Sequence, residues 1–122
     1  MVMHITRRFI QDNPTTLFVF GDNTRGEGYG GQARDARGEP NAVGLPTKWA
    51  PTNHASSFFY DAQFDRIKPI IDNVFKNLWI IKSKGIKIVF FPNIGEGLAK
   101  MPYTAPKTLE YIKTKIKRIE EA

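Results

Sequence analysis

The sequence predicts an α/β layered domain with a largely parallel sheet, and three observations carry that expectation. Two short apolar runs rich in β-formers, Thr15–Phe20 and Ile86–Phe91, have the length of buried strands. Between them Ile67, Ile70, Ile71, Val74, Phe75, Leu78 and Ile81 recur at the i, i+3, i+4, i+7 spacing of one helix face. A glycine-rich loop follows each apolar run directly. Strands alternating with helices favour parallel pairing, and ligands of such sheets bind beyond the carboxyl ends of the strands. Both glycine loops are therefore expected on one edge of the sheet.

The first strand is expected to stop at Gly21, before Asp22-Asn23 and a loop carrying Gly26, Gly28, Gly30 and Gly31. Gln32–Arg37 has helix-forming composition, with Gly38 as a C-cap. Ala42–Lys48 forms a second strand, in which Gly44 and Pro46 mark a strand end or a bulge where something approaches the backbone. Trp49–Ser57 is loop-like, and Phe58-Phe59-Tyr60 forms either a short edge strand or an aromatic lid. The long helix takes Asp61 or Asp65 as cap, begins near Pro69, where a missing N–H is harmless, and ends at Lys84-Gly85. After Pro92 comes the second glycine loop, Asn93–Ala99. Thr104 caps a last helix whose first turn holds Pro106 and whose buried stripe is Leu109, Ile112, Ile116 and Ile119.

Composition narrows the function. The 122 residues suit one domain, 1–122, and fifteen aromatics with many aliphatic residues can offset the entropy of ordering. No run reaches the roughly 20 apolar residues of a membrane span, and no apolar stretch of secretory-signal length stands near the start. A cytoplasmic protein without membrane contact is expected. With no cysteine and only His4 and His54, thiolate chemistry is excluded, and neither a metal nor a cofactor is expected. The net charge of +6 is uneven: residues 82–122 hold nine basic and four acidic side chains, against nine and eight in residues 1–81. The basic last helix offers either a solvated face or a nucleic-acid or protein contact.

A glycine-rich loop brings backbone N–H groups close to an anion, and a helix N-terminus adds donors. Two such loops on one sheet edge describe a cleft for a phosphate or diphosphate, with Arg25, Lys48 and Lys100 as available cations. Neither the dinucleotide fingerprint nor a P-loop is present, because the glycine spacing and the Lys-Ser/Thr pair are missing.

The runs Phe20-Gly21-Asp22-Asn23, Leu45-Pro46-Thr47-Lys48 and Ile94-Gly95-Glu96-Gly97-Leu98-Ala99, in that order around the first loop, resemble macro-domain-like proteins common in bacteriophages and bacteria. The likeness runs from about Leu17 to Leu109. It implies a three-layer α/β/α macro-like sandwich and an ADP-ribose-type ligand, free or attached to an ADP-ribosylated target. By the same likeness Gly21, Gly28, Tyr29, Gly30, Gly31, Lys48, Ile94, Gly95, Glu96, Gly97 and Leu98 would contact the ligand. In an active version Asn23 and Asp22 would position a water for hydrolysis of an ADP-ribosyl linkage. The chain departs from the family in two places. The Asn-Ala-Ala-Asn run is reduced to Gly21-Asp22-Asn23, and Glu96, Leu98 and Ala99 stand where the second loop carries an aromatic. Two alternatives remain open at this level: a nucleotide-sequestering binder without chemistry, and a non-enzymatic nucleic-acid- or protein-binding module using the basic C-terminal helix.

Overall fold

The computed structural model describes residues 4–122. Three parallel strands, β1 (Thr16–Asn23), β2 (Ala42–Lys48) and β3 (Lys87–Phe90), form a sheet in the order β2-β1-β3. The central strand pairs Phe20 with Gly44 on one side and Val19 with Phe90 on the other. Because side chains alternate across a strand, Phe18 and Phe20 share one face while Leu17 and Val19 share the other. Helix α1 (Arg7–Asp12) reaches the first face, where Phe9 stands edge-on to Phe18 at 5.8 Å. Beside it, just after α2 (Ala33–Ala36), the Arg37 guanidinium lies over the Phe20 ring. The long α3 (Phe64–Ser83) covers the opposite face, with Phe75 stacked on Phe90. The chain is thus mixed α/β with a parallel sheet, as the pattern predicts.

Several boundaries differ from expectation for identifiable reasons. β1 does not stop at Gly21: β2 offers ladder partners as far as Lys48, so pairing continues to Asn23, with the register slipping between Asp22 and Asn23. β2 itself spans Ala42–Lys48, as read. α1 has one buried residue, Ile10, so it leaves no periodic stripe; its N-cap Thr6 accepts a hydrogen bond from the Phe9 N–H at 3.1 Å. α3 begins at Phe64, five residues before Pro69. Proline there leaves without a partner only the carbonyl of exposed Asp65, four residues back.

The caps also fall elsewhere. Neither Asp61 nor Asp65 caps α3. Asp61 instead accepts from the backbone N–H groups of Lys107 and Thr108, at 3.1 and 2.8 Å, and so caps α5 (Pro106–Glu121) from a distant loop. Thr104 closes a separate short turn, α4 (Met101–Thr104), and does not cap the last helix. Phe58 forms a single antiparallel bridge with Lys48, and Phe58 and Phe59 are both buried, so this run is an edge bridge packed into the body. The core takes Ile67, Ile71, Phe75 and Leu78 from α3, and Leu109, Ile112 and Ile119 from α5, with Ile116 half-buried. Among the described residues no helix is long and apolar enough to cross a membrane.

Candidate functional site

All three strands run the same way, so the segments that follow β1 and β3 emerge at one edge of the sheet. They meet there around a cleft of about 130 Å³. Its walls include Gly21, Asp22, Asn23, Gly28, Gly30 and Gly31 from the first segment, Thr47 and Lys48 from β2, and Asn93, Gly95, Gly97 and Leu98 from the second.

The last link between the β3 segment and β1 is the Phe91 N–H, which donates to the Val19 carbonyl at 2.8 Å, and beyond it the backbone groups need other partners. Gln32 supplies them: its Oε1 accepts from the Gly21 N–H at 2.7 Å, and its Nε2 donates to the Pro92 carbonyl at 2.8 Å. One side chain therefore ties the roots of both loops together.

The first loop is built on Asn23. Its Nδ2 donates to the Glu27 carbonyl at 2.8 Å and its Oδ1 accepts from the Arg25 N–H at 3.1 Å, an Asx-type turn. Gly26, Gly28 and Gly31 take positive φ there. Arg37 closes the loop from the far side, donating from Nε to Gly28 O at 2.5 Å while its NH1 and NH2 bind the Asp22 carboxylate. Asp22 is thereby neutralised, which removes a repulsive charge from the cleft wall. The Asp22 side chain also explains Gly44, since a Cβ at Gly44 would overlap the carboxylate. Gly44 is thus the place where something approaches the backbone, as the sequence suggests.

The second loop turns at Asn93 and Gly95, with φ of 58° and 87°. Leu98, 57% exposed, lays its side chain against Gly30 and Gly31, so the loops touch across the cleft. Among the described residues the amides of Gly28, Gly30, Gly31 and Gly97 donate to no protein acceptor. They are available to an anion or to water.

Lys48 forms part of the wall and is only 7% exposed. Its Nζ donates to the Thr52 carbonyl at 2.9 Å and lies 4.8 Å from the centre of the Phe58 ring. Burial, and secondarily the nearby charge of Lys100, lowers its pKa below the ordinary lysine value.

Ten of the residues expected at the site on sequence grounds line this one cleft: Gly21, Asp22, Asn23, Gly28, Gly30, Gly31, Lys48, Gly95, Gly97 and Leu98. Three do not. Tyr29 projects outward at 65% exposure, and Ile94 is buried in the core at 4%. Glu96 turns away to an ion pair with Lys113 at 3.4 Å. Gln32 and Arg37 also line the cleft, although the sequence marks them only as residues of a helix. An acid at the end of an apolar strand with two arginines nearby, Arg34 and Arg37, was the available signal for the second.

Fold and cleft together define a parallel α/β protein with a glycine-lined cleft at the carboxyl edge of its sheet. The chain belongs to a family of unknown function, DUF7831, whose model matches residues 1–115. Comparison with curated proteins and with solved structures gave no match.

Proposed function

We propose that the cleft binds a phosphorylated ribose compound of the ADP-ribose type, on a macro-like α/β/α framework. One observation carries this reading. Among the described residues, two glycine loops bring amides without protein acceptors to a single cleft, beside a buried lysine that has no carboxylate partner. Such donors suit phosphate oxygens. At about 130 Å³ the cleft is well below the roughly 300–1,000 Å³ of pockets that enclose a whole drug-sized ligand. It holds the phosphate portion of the ligand, and the flanking riboside groups lie across the rim formed by Leu98 and Tyr29, both exposed.

Binding is favoured over hydrolysis because both side chains considered for water positioning are committed elsewhere. Asn23 holds the loop backbone, and Asp22 is held by Arg37. The reading in which α5 contacts nucleic acid draws less support, since Lys113 and Lys115 are paired with Glu96 and Asp72.

Calorimetric titration with ADP-ribose, using AMP and ribose 5-phosphate as comparison ligands, tests the proposal. One-site binding that disappears in Gly30→Glu supports it. Absence of heat with all three ligands, in protein shown to be folded, refutes it.

A further inference from the structure

We propose that Lys48 and Lys100, gathered on the ring of Phe58, form a phosphate subsite at the edge of the cleft, so that one phosphate of the ligand's diphosphate is seated there. The inference rests on the cleft being the binding site, and it narrows the ligand class to compounds that carry a diphosphate, one phosphate at the glycine loops and one at the lysines.

The two ammonium groups lie 4.8 and 5.7 Å from the centre of the same ring. Among the described residues neither has a carboxylate within ion-pair distance, whereas the other enclosed cation of the site, Arg37, is paired with Asp22. Lys48 spends one of its three N–H groups on Thr52 and is almost wholly enclosed. An enclosed ammonium with no counter-charge is unfavourable unless an anion completes it. The second lysine is brought in at a backbone cost. Lys100 adopts φ 54° and ψ 26°, the left-handed region that a residue with a Cβ avoids. Asn93 is the other non-glycine residue with positive φ among those described, and asparagine tolerates that region far better than lysine. Strain of this kind tends to persist at ligand sites. Burial and the Lys100 charge also depress the pKa of Lys48. A phosphate has enough oxygens to accept from both ammonium groups at once, which relieves the repulsion between them. Lys100 follows directly on Ala99, a residue of the cleft wall, so the subsite adjoins the glycine loops.

The test is an NMR titration of the isotopically labelled protein with sodium phosphate at pH 7, with sodium chloride at matched ionic strength as control. The Phe58 ring and the side-chain signals of Lys48 and Lys100 are expected to shift saturably with phosphate and not with chloride. Lys100→Gln, at an exposed position, is expected to weaken that response at least about fivefold by removing a charge-assisted hydrogen bond. A response equalled by chloride, or unchanged in Lys100→Gln, overturns the subsite. Gly30→Glu obstructs the glycine loop and leaves the lysines in place, so the phosphate response there should persist. If phosphate binds at the lysines while ADP-ribose fails to bind the unmodified protein, the subsite stands and the nucleotide reading falls. If ADP-ribose binds equally to the unmodified protein and Lys100→Gln with no phosphate response, the subsite falls and the nucleotide reading stands.

Discussion

Arg37 binds the Asp22 carboxylate through NH1 and NH2 and, from Nε, donates to the Gly28 carbonyl at 2.5 Å, while NH2 also reaches the Glu27 carbonyl at 3.2 Å. One planar guanidinium thus fixes the end of β1 and the first glycine loop as a unit. The Arg37 and Asp22 side chains are 15% and 10% exposed, so truncation leaves a nearly buried carboxylate without its partner. Arg37→Ala is expected to cost about 3 kcal/mol in urea unfolding. Arg37→Lys should recover less than half of that loss, because an ammonium cannot span these acceptors in the geometry of the fork.

The two glycines of the second loop separate folding from ligand contact. Gly95 has φ +87°, and a Cβ there would stand 2.9 Å from Met101 Sδ and 3.0 Å from Leu109 Cδ1. Gly95→Ala should destabilise by about 2 kcal/mol through strain and overpacking together. A Cβ at Gly97 meets nothing within 4 Å. Gly97→Ala should therefore leave stability within about 0.5 kcal/mol. If the ligand approaches the Gly97 amide closely, the added Cβ should stand in its way and lower ADP-ribose affinity about tenfold. Paired unfolding and calorimetric measurements on the two variants distinguish these effects.

Acid should loosen the packing of α5. Burial raises the pKa of Asp72, but hydrogen bonds from Lys68, Tyr111 and Lys115 outweigh it and bring the value down to about 2. Asp61 is likewise pushed up by burial and held below the ordinary range by Thr108 and Lys107. Both carboxyls bind protons more weakly folded than unfolded, so their contribution is complete above the unfolded value of 3.8 and is lost as pH falls toward 2. For Asp72, whose side chain is 33% exposed, solvent screening reduces this to about 1 kcal/mol. Asp61→Ala should cost about 1–2 kcal/mol at pH 7 through loss of the cap, and its unfolding profile should be flatter between pH 4 and 2 than that of the unmodified protein.

Lys100→Gly should raise stability by about 0.5–1 kcal/mol, since glycine occupies the left-handed region without steric cost. The same substitution should weaken phosphate binding at the Lys48 subsite. A gain in thermal midpoint together with a loss of ligand affinity is the expected signature, and a loss of stability would show that the Lys100 side chain holds the fold.

Strand and loop positions were legible because they depend on local composition, whereas the order of the strands was not: Thr15–Phe20, Ala42–Lys48 and Ile86–Phe91 carry the apolar and β-forming residues of strands, and glycine marks the loops. Gly44 announced a close approach without naming what approaches. The contacts that shape the cleft were not legible, because they join side chains to backbone across long separations. Gln32 bridges Gly21 and Pro92, and Asp61 caps a helix that begins at Pro106. No periodicity encodes such pairings. Ile94 has the loop position of a ligand contact and the burial of a core residue, and its aliphatic side chain gave no means of choosing between them.

The central claim is that both glycine loops close on one ligand, and amide shift mapping during an ADP-ribose titration tests it most directly. The account expects the amides of Gly28, Gly30, Gly31 and Gly97 to shift together along a single saturation curve. Shifts confined to the lysines of α5, or no shifts in either loop at saturating ligand, would contradict it.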